Sequence, residues 1–145
     1  MWKFEAVDEW STISLHDCRI TGINTHDNNI ALDFADGYWI VETNPQNPYN
    51  KTLATDENAR LTLQQACCTK LTVDDQPADW PEFCTKLNSG IWEFECITES
   101  YKGGQCVYDG WLWFDSEPFH RDCHLEFTFK SIVYNWNKLC EDRPW

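Results

Sequence analysis

The sequence has few basic residues and no long apolar run. Its 145 residues include 11 Lys and Arg against 24 Asp and Glu, so the formal net charge is −13. Generic binding to DNA or RNA relies on Lys and Arg to neutralise phosphates, and anionic membrane surfaces attract the same side chains. The charge therefore argues against nucleic acid and against a membrane surface as partners.

No apolar stretch approaches the roughly 18 to 20 residues that a membrane-spanning helix needs. The first ten residues, MWKFEAVDEW, contain acids and no apolar run of the kind found in a secretory signal. The sequence thus predicts a chain that stays in the cytoplasm.

Common cofactor and catalytic motifs are missing as well. The chain has no P-loop, no G-x-G-x-x-G, no G-x-S-x-G nucleophile elbow and no C-x-x-C. Its eight cysteines are irregularly spaced, which favours reduced thiols acting as small hydrophobes. Cys96 and Cys106 flank a predicted turn, and in an exported protein they would be the first candidates for a disulfide across a hairpin. We expect no cofactor, no metal site and no catalytic residue.

Alternating apolar residues dominate what is present. Ile30, Leu32 and Phe34 point to one side of a predicted strand, with a turn around Asp36–Gly37 after it. The length suits one domain, residues 1–145. The pattern predicts a mainly β fold, an antiparallel sandwich or open barrel of about seven or eight strands with one short helix.

The individual elements follow from turn residues and alternation. A meander is predicted over 13–42 with a bend at Gly22, a second hairpin over 91–114 around Gly103–Gly104, and a helix from Pro81 to before Gly90. The other predictions are strands at 60–65 and 70–73, loops at 44–50, 74–79 and 115–123, a closing strand at 124–136, and a frayed polar tail at 137–145.

Aromatic residues make up 15% of the chain, with nine Trp, and Trp and Tyr are frequent binding hot spots. Trp111 and Trp113 share one face of a predicted strand. They form either an exposed platform for a sugar or a partner's side chains, or part of the sandwich core. We expect them in the core, because a bare row of Trp promotes aggregation.

Two groups of residues raise the question of an enzyme. His120, Cys123 and His124 include metal-binding types, but Pro118 argues against a helix there and the Glu of an H-E-x-x-H motif is missing. The carboxylates of Glu93, Glu95 and the residues after them would suit a glycosidase only at the right separation. A plain surface loop and solvated charge are the favoured interpretations.

The segment Ser14–Gly37 resembles the first strands of small bacterial proteins of unassigned activity. It contains SLHDCRI, followed by NIALDF in Asn29–Phe34. These proteins begin with a similar pair of strands, and some of their families are similar to the immunity proteins that accompany secreted polymorphic toxins. The resemblance implies a compact β-rich inhibitor with no catalytic residues.

The leading hypothesis is therefore an immunity-type protein that binds and neutralises a basic protein toxin domain. Opposite charge would speed encounter, and a few aromatic anchors would hold the complex. The same charge also keeps an aromatic-rich domain soluble. The alternatives are a carbohydrate-binding module and a small hydrolase. The predicted partner-binding residues lie at loop positions: Trp39, Asp74, Asp75, Asp79, Trp80 and Trp111.

Overall fold

The computed structural model describes residues 1–144, with side chains described through Glu141. The structure is 55% strand and 6% helix, which confirms the mainly β class and is consistent with an antiparallel sandwich. The described residues form more strands than predicted, because long predicted strands are broken and short ones lie in predicted loops.

The elements in chain order are β1 Phe4–Val7, β2 Ile13–Ser14, β3 Cys18–Ile20, β4 Gly22–His26, β5 Asn29–Phe34, β6 Trp39–Ile40, β7 Leu53–Thr55, β8 Ala59–Gln64, β9 Cys67–Val73, β10 Gln76–Pro77, α1 Trp80–Asn88, β11 Glu93–Lys102, β12 Gln105–Trp113, β13 His120–Thr128, β14 Ser131–Trp136 and β15 Leu139–Pro144. They build a five-stranded sheet (β1-β14-β8-β5-β4), a six-stranded sheet (β10-β9-β13-β12-β11-β3) and a four-stranded sheet (β15-β7-β6-β2).

One hydrophobic core joins the inner faces of the two larger sheets. Leu32 and Leu61 of the five-stranded sheet and Leu112 and Leu125 of the six-stranded sheet are each fully buried in the same cluster. Alternation along each strand supplies these side chains, because successive residues point to opposite faces. Each such side chain contributes about 1.5–3 kcal/mol by leaving water.

The predicted meander over 13–42 is wrong in its connections. The first strand is broken into β2, β3 and β4, which lie in three different sheets. Asp17 separates β2 from β3 in a left-handed conformation with φ 62°, which no continuous strand allows. The bend predicted at Gly22 falls at the start of β4. Within the predicted meander, β4 and β5 do form a hairpin, and its turn lies between His26 and Asn29.

The turn at Asp36–Gly37 exists but does not make a hairpin. Gly37 has φ +79° and its N–H donates to the Phe34 carbonyl. A Cβ on Gly37 would overlap the Thr55 side chain, so only glycine fits there. The turn carries the chain from β5 in the five-stranded sheet to β6 in the four-stranded sheet.

The second predicted hairpin is confirmed as β11 and β12. Gly103 and Gly104 form its turn with positive φ values. The register shifts by one residue at Ile97, which forms a bulge opposite Gly110 and Asp109. The inner residues on either side of this bulge are Cys96 and Glu99.

The closing strand predicted over 124–136 is two strands in different sheets. β13 starts earlier, at His120, so the predicted loop over 115–123 is too long. The chain then crosses between sheets at Phe129 and Lys130, whose N–H groups donate to the Gly104 and Gln64 carbonyls.

The tail predicted to be frayed over 137–145 forms a strand instead, because β15 pairs with β7. Trp145 lies outside the described residues.

Helix α1 is confirmed where Pro81 predicts it. The Asp79 carboxylate caps the helix by accepting from the Glu82 N–H at 2.9 Å. At the other end, the Asn88 amide makes two 2.8 Å hydrogen bonds with the backbone of Ile23 and so covers part of the edge strand β4. Within residues 1–144, no helix is long and apolar enough to cross a membrane.

The candidate disulfide is excluded by the register of the β11–β12 hairpin. Cys96 lies opposite Gly110, and Cys106 lies opposite Tyr101. Both cysteines are free thiols in the core. Burial raises the pKa of Cys106 to about 12 and raises that of Cys96 as well, so both remain protonated.

Candidate functional site

Polar and aromatic side chains cover the face of the six-stranded sheet that points away from the core, here called the outer face. Three cross-strand pairs between β12 and β13 define its centre: Trp113 with His120, Trp111 with Asp122, and Asp109 with His124. Most of the alternate residues of the same strands are buried, namely Cys106, Tyr108, Leu112, Cys123, Leu125 and Phe127. The period of two therefore places charge and large rings together on one surface.

An open concavity of about 610 Å³ lies on the β9 side of this face. Three of its residues are carboxylates, Asp75, Asp109 and Asp122, and its basic or ionisable nitrogen groups are Lys70 and His124. The remaining lining residues are Thr72, Gly110 and Cys123. The concavity therefore carries a surplus of negative charge at neutral pH.

His124 is held between two carboxylates at the edge of the concavity. Its Nδ1 lies 2.5 Å from Oδ1 of Asp109, and its Nε2 lies 2.5 Å from Oε2 of Glu126. Gln105 donates to the other oxygen of Glu126 at 3.1 Å. Both ring nitrogens donate when the imidazole is protonated, so this arrangement suits the cationic form of the ring.

The surroundings of His124 change its pKa in a defined direction. Burial of the ring lowers the pKa, but the hydrogen bonds to Glu126 and Asp109 and the charges of both carboxylates outweigh burial. The pKa is therefore raised above the ordinary value for histidine. Its contribution to stability is fully present below the unfolded-state pKa and is lost as pH rises through the higher folded-state pKa.

We expect Asp109→Asn to lower the pKa of His124, because an amide replaces one of the two charged acceptors. The pH dependence of the free energy of unfolding should also weaken above the ordinary histidine pKa. Titration of the His124 Cε1–H resonance by NMR measures the first effect, and denaturant unfolding at several pH values measures the second. Asp27→Asn, at a distant hairpin tip, is the matched control, and equal His124 titrations in both variants would contradict the assignment.

The second half of the outer face is aromatic and carries an internal cation. The Arg19 guanidinium lies 4.7 Å from the centre of the Trp113 ring. It also lies 3.1 Å from Glu93 and 3.6 Å from Glu95. The Trp113 Nε1–H donates to Glu95 at 2.9 Å. Trp113 is thus held by a cation above its ring and a carboxylate beside it.

Trp111 and Trp113 lie half-buried on the outer face, so the expectation that they fill the core is wrong. Leu112 and Tyr108 take the inward positions of β12 instead. The His120 ring packs edge-on against both Trp rings, with centroids 4.7 and 5.0 Å apart. These contacts cover part of the apolar surface that would otherwise be bare.

Three of the predicted partner-binding residues border the outer face. Asp75 lines the concavity. Trp111 lies beside the concavity, because its partner across the strands, Asp122, is one of the lining residues. Asp74 is engaged within the protein, since it accepts from Arg121 at 2.7 Å and from the Asp122 N–H at 3.1 Å. Asp74 and Asp75 both have positive φ in the tight turn between β9 and β10.

The other three predicted residues lie elsewhere. Asp79 is the helix cap, and the Trp80 ring packs against Phe83 and Phe127 at 6.0 and 5.7 Å. Trp39 lies in β6, where its Nε1–H donates to the His16 carbonyl at 2.9 Å. It lines a smaller pocket of about 180 Å³. The structure does not bring these three residues into the concavity.

Sequence reasoning did not predict six residues of the outer face as binding residues: Lys70, Thr72, Asp109, Asp122, His124 and Glu126. A usable signal was present in β13, where Asp122, His124 and Glu126 alternate with the apolar residues Cys123, Leu125 and Phe127. Starting that strand at His124 hid the first half of the alternation. Among the side chains that are described, through Glu141, no three His, Cys, Asp or Glu are grouped as metal ligands, and Cys123 is buried on the opposite face of β13 from His120 and His124.

No protein-family model, no curated protein and no solved structure matches this chain.

Proposed function

We propose that this chain is an immunity-type binding protein that docks onto a basic protein toxin domain and neutralises it. The observation that carries the proposal is the outer face, which combines a carboxylate-lined concavity with two half-exposed Trp rings. Charged groups at such a surface steer a partner of opposite sign, and aromatic side chains supply the tightly packed contacts.

The distribution of charge supports a protein partner of positive sign. The net charge of −13 produces a long-range field that accelerates association with a basic molecule. Asp75, Asp109 and Asp122 then present acceptors at short range. A cationic active site covered by such a face would be blocked both electrostatically and sterically.

The arrangement of the outer face on paired strands also supports binding. β11 and β12 form nine residue pairs with one bulge at Ile97, and β12 and β13 form nine residue pairs without a register shift. Such a rigid base limits the conformational entropy that side chains lose on association. The resemblance of Ser14–Gly37 to immunity proteins agrees with this function.

Co-expression tests the proposal directly. A toxin domain encoded by the adjacent gene should stop bacterial growth, and this chain should restore growth and co-purify with the domain. Asp122→Lys should abolish rescue, because it reverses charge inside the concavity and leaves the buried core untouched. The expected loss of affinity is about 10- to 100-fold, as for rim or buried charges at interfaces.

Glu5→Lys is the matched control, since it makes the same charge change on an exposed residue of β1 in the other large sheet. It should rescue as well as the unaltered chain. Absence of both rescue and complex formation would refute the proposal.

Carbohydrate binding is the second candidate, and the placement of Trp111 and Trp113 outside the core favours it. Carboxylates beside Trp rings are suited to hydrogen-bond hydroxyl groups while a ring stacks on a sugar. However, Arg19 already covers the Trp113 ring, and a neutral sugar would leave the charge of the neighbouring carboxylates unbalanced. Titration with oligosaccharides should therefore leave Trp fluorescence unchanged; a saturable change that is lost in Trp111→Ala would favour this second function.

A further inference from the structure

The contact of Arg19 with Trp113 shows how this face binds a guanidinium group. One planar cation lies over an indole ring and reaches two carboxylates, Glu93 and Glu95, on the neighbouring strand. Arginine suits such a site because it stacks on an aromatic face while its N–H groups bond carboxylates.

Trp111 precedes Trp113 by two residues on the same face of β12, and carboxylate residues lie beside it as well. Asp122 lies directly opposite it on β13, and Asp109 precedes it by two residues on the same face. Glu95 lies opposite it on β11. Among the described residues, the cation–π contacts are made by Arg19, Arg60 and Lys86, with Trp113, Trp2 and Trp92 respectively.

The nearby arginines of the chain are already paired with carboxylates. Arg121 bonds Asp74 at 2.7 Å, and Arg19 bonds Glu93 at 3.1 Å. Lys70 also lines the concavity, but it lies opposite Glu126, which is four residues along β13 from Asp122. Asp122 and Asp75 therefore face the concavity with a surplus of negative charge that an external cation would balance.

We propose that Trp111, Asp109 and Asp122 bind an arginine side chain of a basic protein partner. This inference rests on the proposed function and names the chemistry of the contact. The guanidinium stacks on Trp111 and bonds the Asp122 carboxylate. Asp109 contributes its second oxygen, since only Oδ1 is used by His124.

Charge complementarity selects a protein segment as the occupant. The concavity has room for one long side chain and opens to solvent along the face, as an extended or looped segment requires. The carboxylates would repel the phosphates of a nucleic acid, and a neutral sugar would leave the charge of the carboxylates unbalanced. Arginine is favoured over lysine because lysine lacks the planar group that both stacks and makes paired hydrogen bonds.

Binding of a capped hexa-arginine peptide tests the site without knowledge of the natural partner. Trp fluorescence or calorimetry at two salt concentrations gives the dissociation constant. Trp111→Ala and Asp122→Asn should each weaken binding about five- to tenfold, in line with a cation–π contact or a charge-assisted hydrogen bond. Hexalysine should bind more weakly than hexa-arginine to the unaltered chain.

Asp27→Asn provides the matched control, because it also removes one negative charge and Asn tolerates the positive φ at this exposed turn. General attraction between a polycation and an acidic protein predicts equal weakening in Asp27→Asn and Asp122→Asn. Equal weakening, or equal affinity for the two peptides, would overturn the inference. Unchanged thermal unfolding should show that the variants remain folded.

The peptide assay and the growth assay separate the two proposals. Site-dependent binding of hexa-arginine without toxin rescue would refute the immunity function and leave the arginine site supported. Equal hexa-arginine affinity for the unaltered chain, Trp111→Ala and Asp122→Asn would refute the arginine site, whereas rescue and co-purification by the unaltered chain would leave the immunity function standing.

Discussion

Gly110→Ala should unfold the protein or destabilise it by more than about 3 kcal/mol, a large part of the 5–15 kcal/mol typical of a small domain. A Cβ at this position would overlap the Glu95 carbonyl oxygen of the neighbouring strand and crowd the Ile97 N–H. Both atoms belong to the backbone, so no side-chain rotation relieves the overlap. The β11–β12 ladder would have to separate at the bulge.

Separation there would also disturb the outer face, because Glu95 and Trp111 are paired across the same ladder. Denaturant unfolding followed by far-UV circular dichroism measures the loss. Gly22→Ala is the control, since its nearest neighbour is the Asn88 side-chain oxygen at 3.2 Å, and it should cost at most about 1 kcal/mol. Equal midpoints for the two variants would show that the hairpin tolerates a side chain at Gly110.

Phe127→Ala should lower the free energy of unfolding by about 3–5 kcal/mol, the usual cost of removing a buried Phe side chain. Phe127 is fully buried in β13. Its ring contacts Trp80 of α1 at 5.7 Å and Tyr108 of β12 at 6.1 Å between centroids. The substitution would leave a cavity between the helix and the six-stranded sheet.

Thermal unfolding measures this effect, with an expected fall in Tm on the order of 10 °C for a chain of this size. Phe119→Ala removes the same side chain from a position that is 49% exposed, and it should change stability by less than about 0.5 kcal/mol. A loss in Phe127→Ala as small as that in Phe119→Ala would mean that the packing of α1 on the sheet does not depend on Phe127.

Local signals account for the elements that the sequence predicts correctly. Pro81 and Gly90 mark the ends of α1, and Gly103–Gly104 mark the β11–β12 turn, because helix ends and turns depend on residues close in the chain. The alternation of Ile30, Leu32 and Phe34 identifies β5 for the same reason.

Connections between sheets could not be predicted in this way. The break at Asp17 and the crossing at Phe129–Lys130 look in the sequence like continuations of a strand. They are fixed by hydrogen bonds to distant residues: the Asp17 N–H donates to Cys96, and the Phe129 N–H to Gly104. Contacts of such long separation leave no local pattern.

The candidate site was only partly visible for a similar reason. The sequence predicts Asp75 and Trp111 as binding residues, but it does not predict Asp109, Asp122 or Glu126. Both faces of β12 carry large rings, Tyr108 on one and Trp111 on the other, so hydrophobicity alone does not identify the buried face. The Tyr108 face of β12 is the buried one because the five-stranded sheet packs over it.

The amino-acid order alone set the β class, the single short helix, the tight turns and the strongly negative charge, because each arises from neighbouring residues or from composition. The tertiary structure decided which sheet each strand joined and which rings faced solvent. It also brought the carboxylates of β12 and β13 and of the β9–β10 turn into one concavity. Those outcomes depend on packing between layers, where residues far apart in the chain compete to bury the same apolar surface.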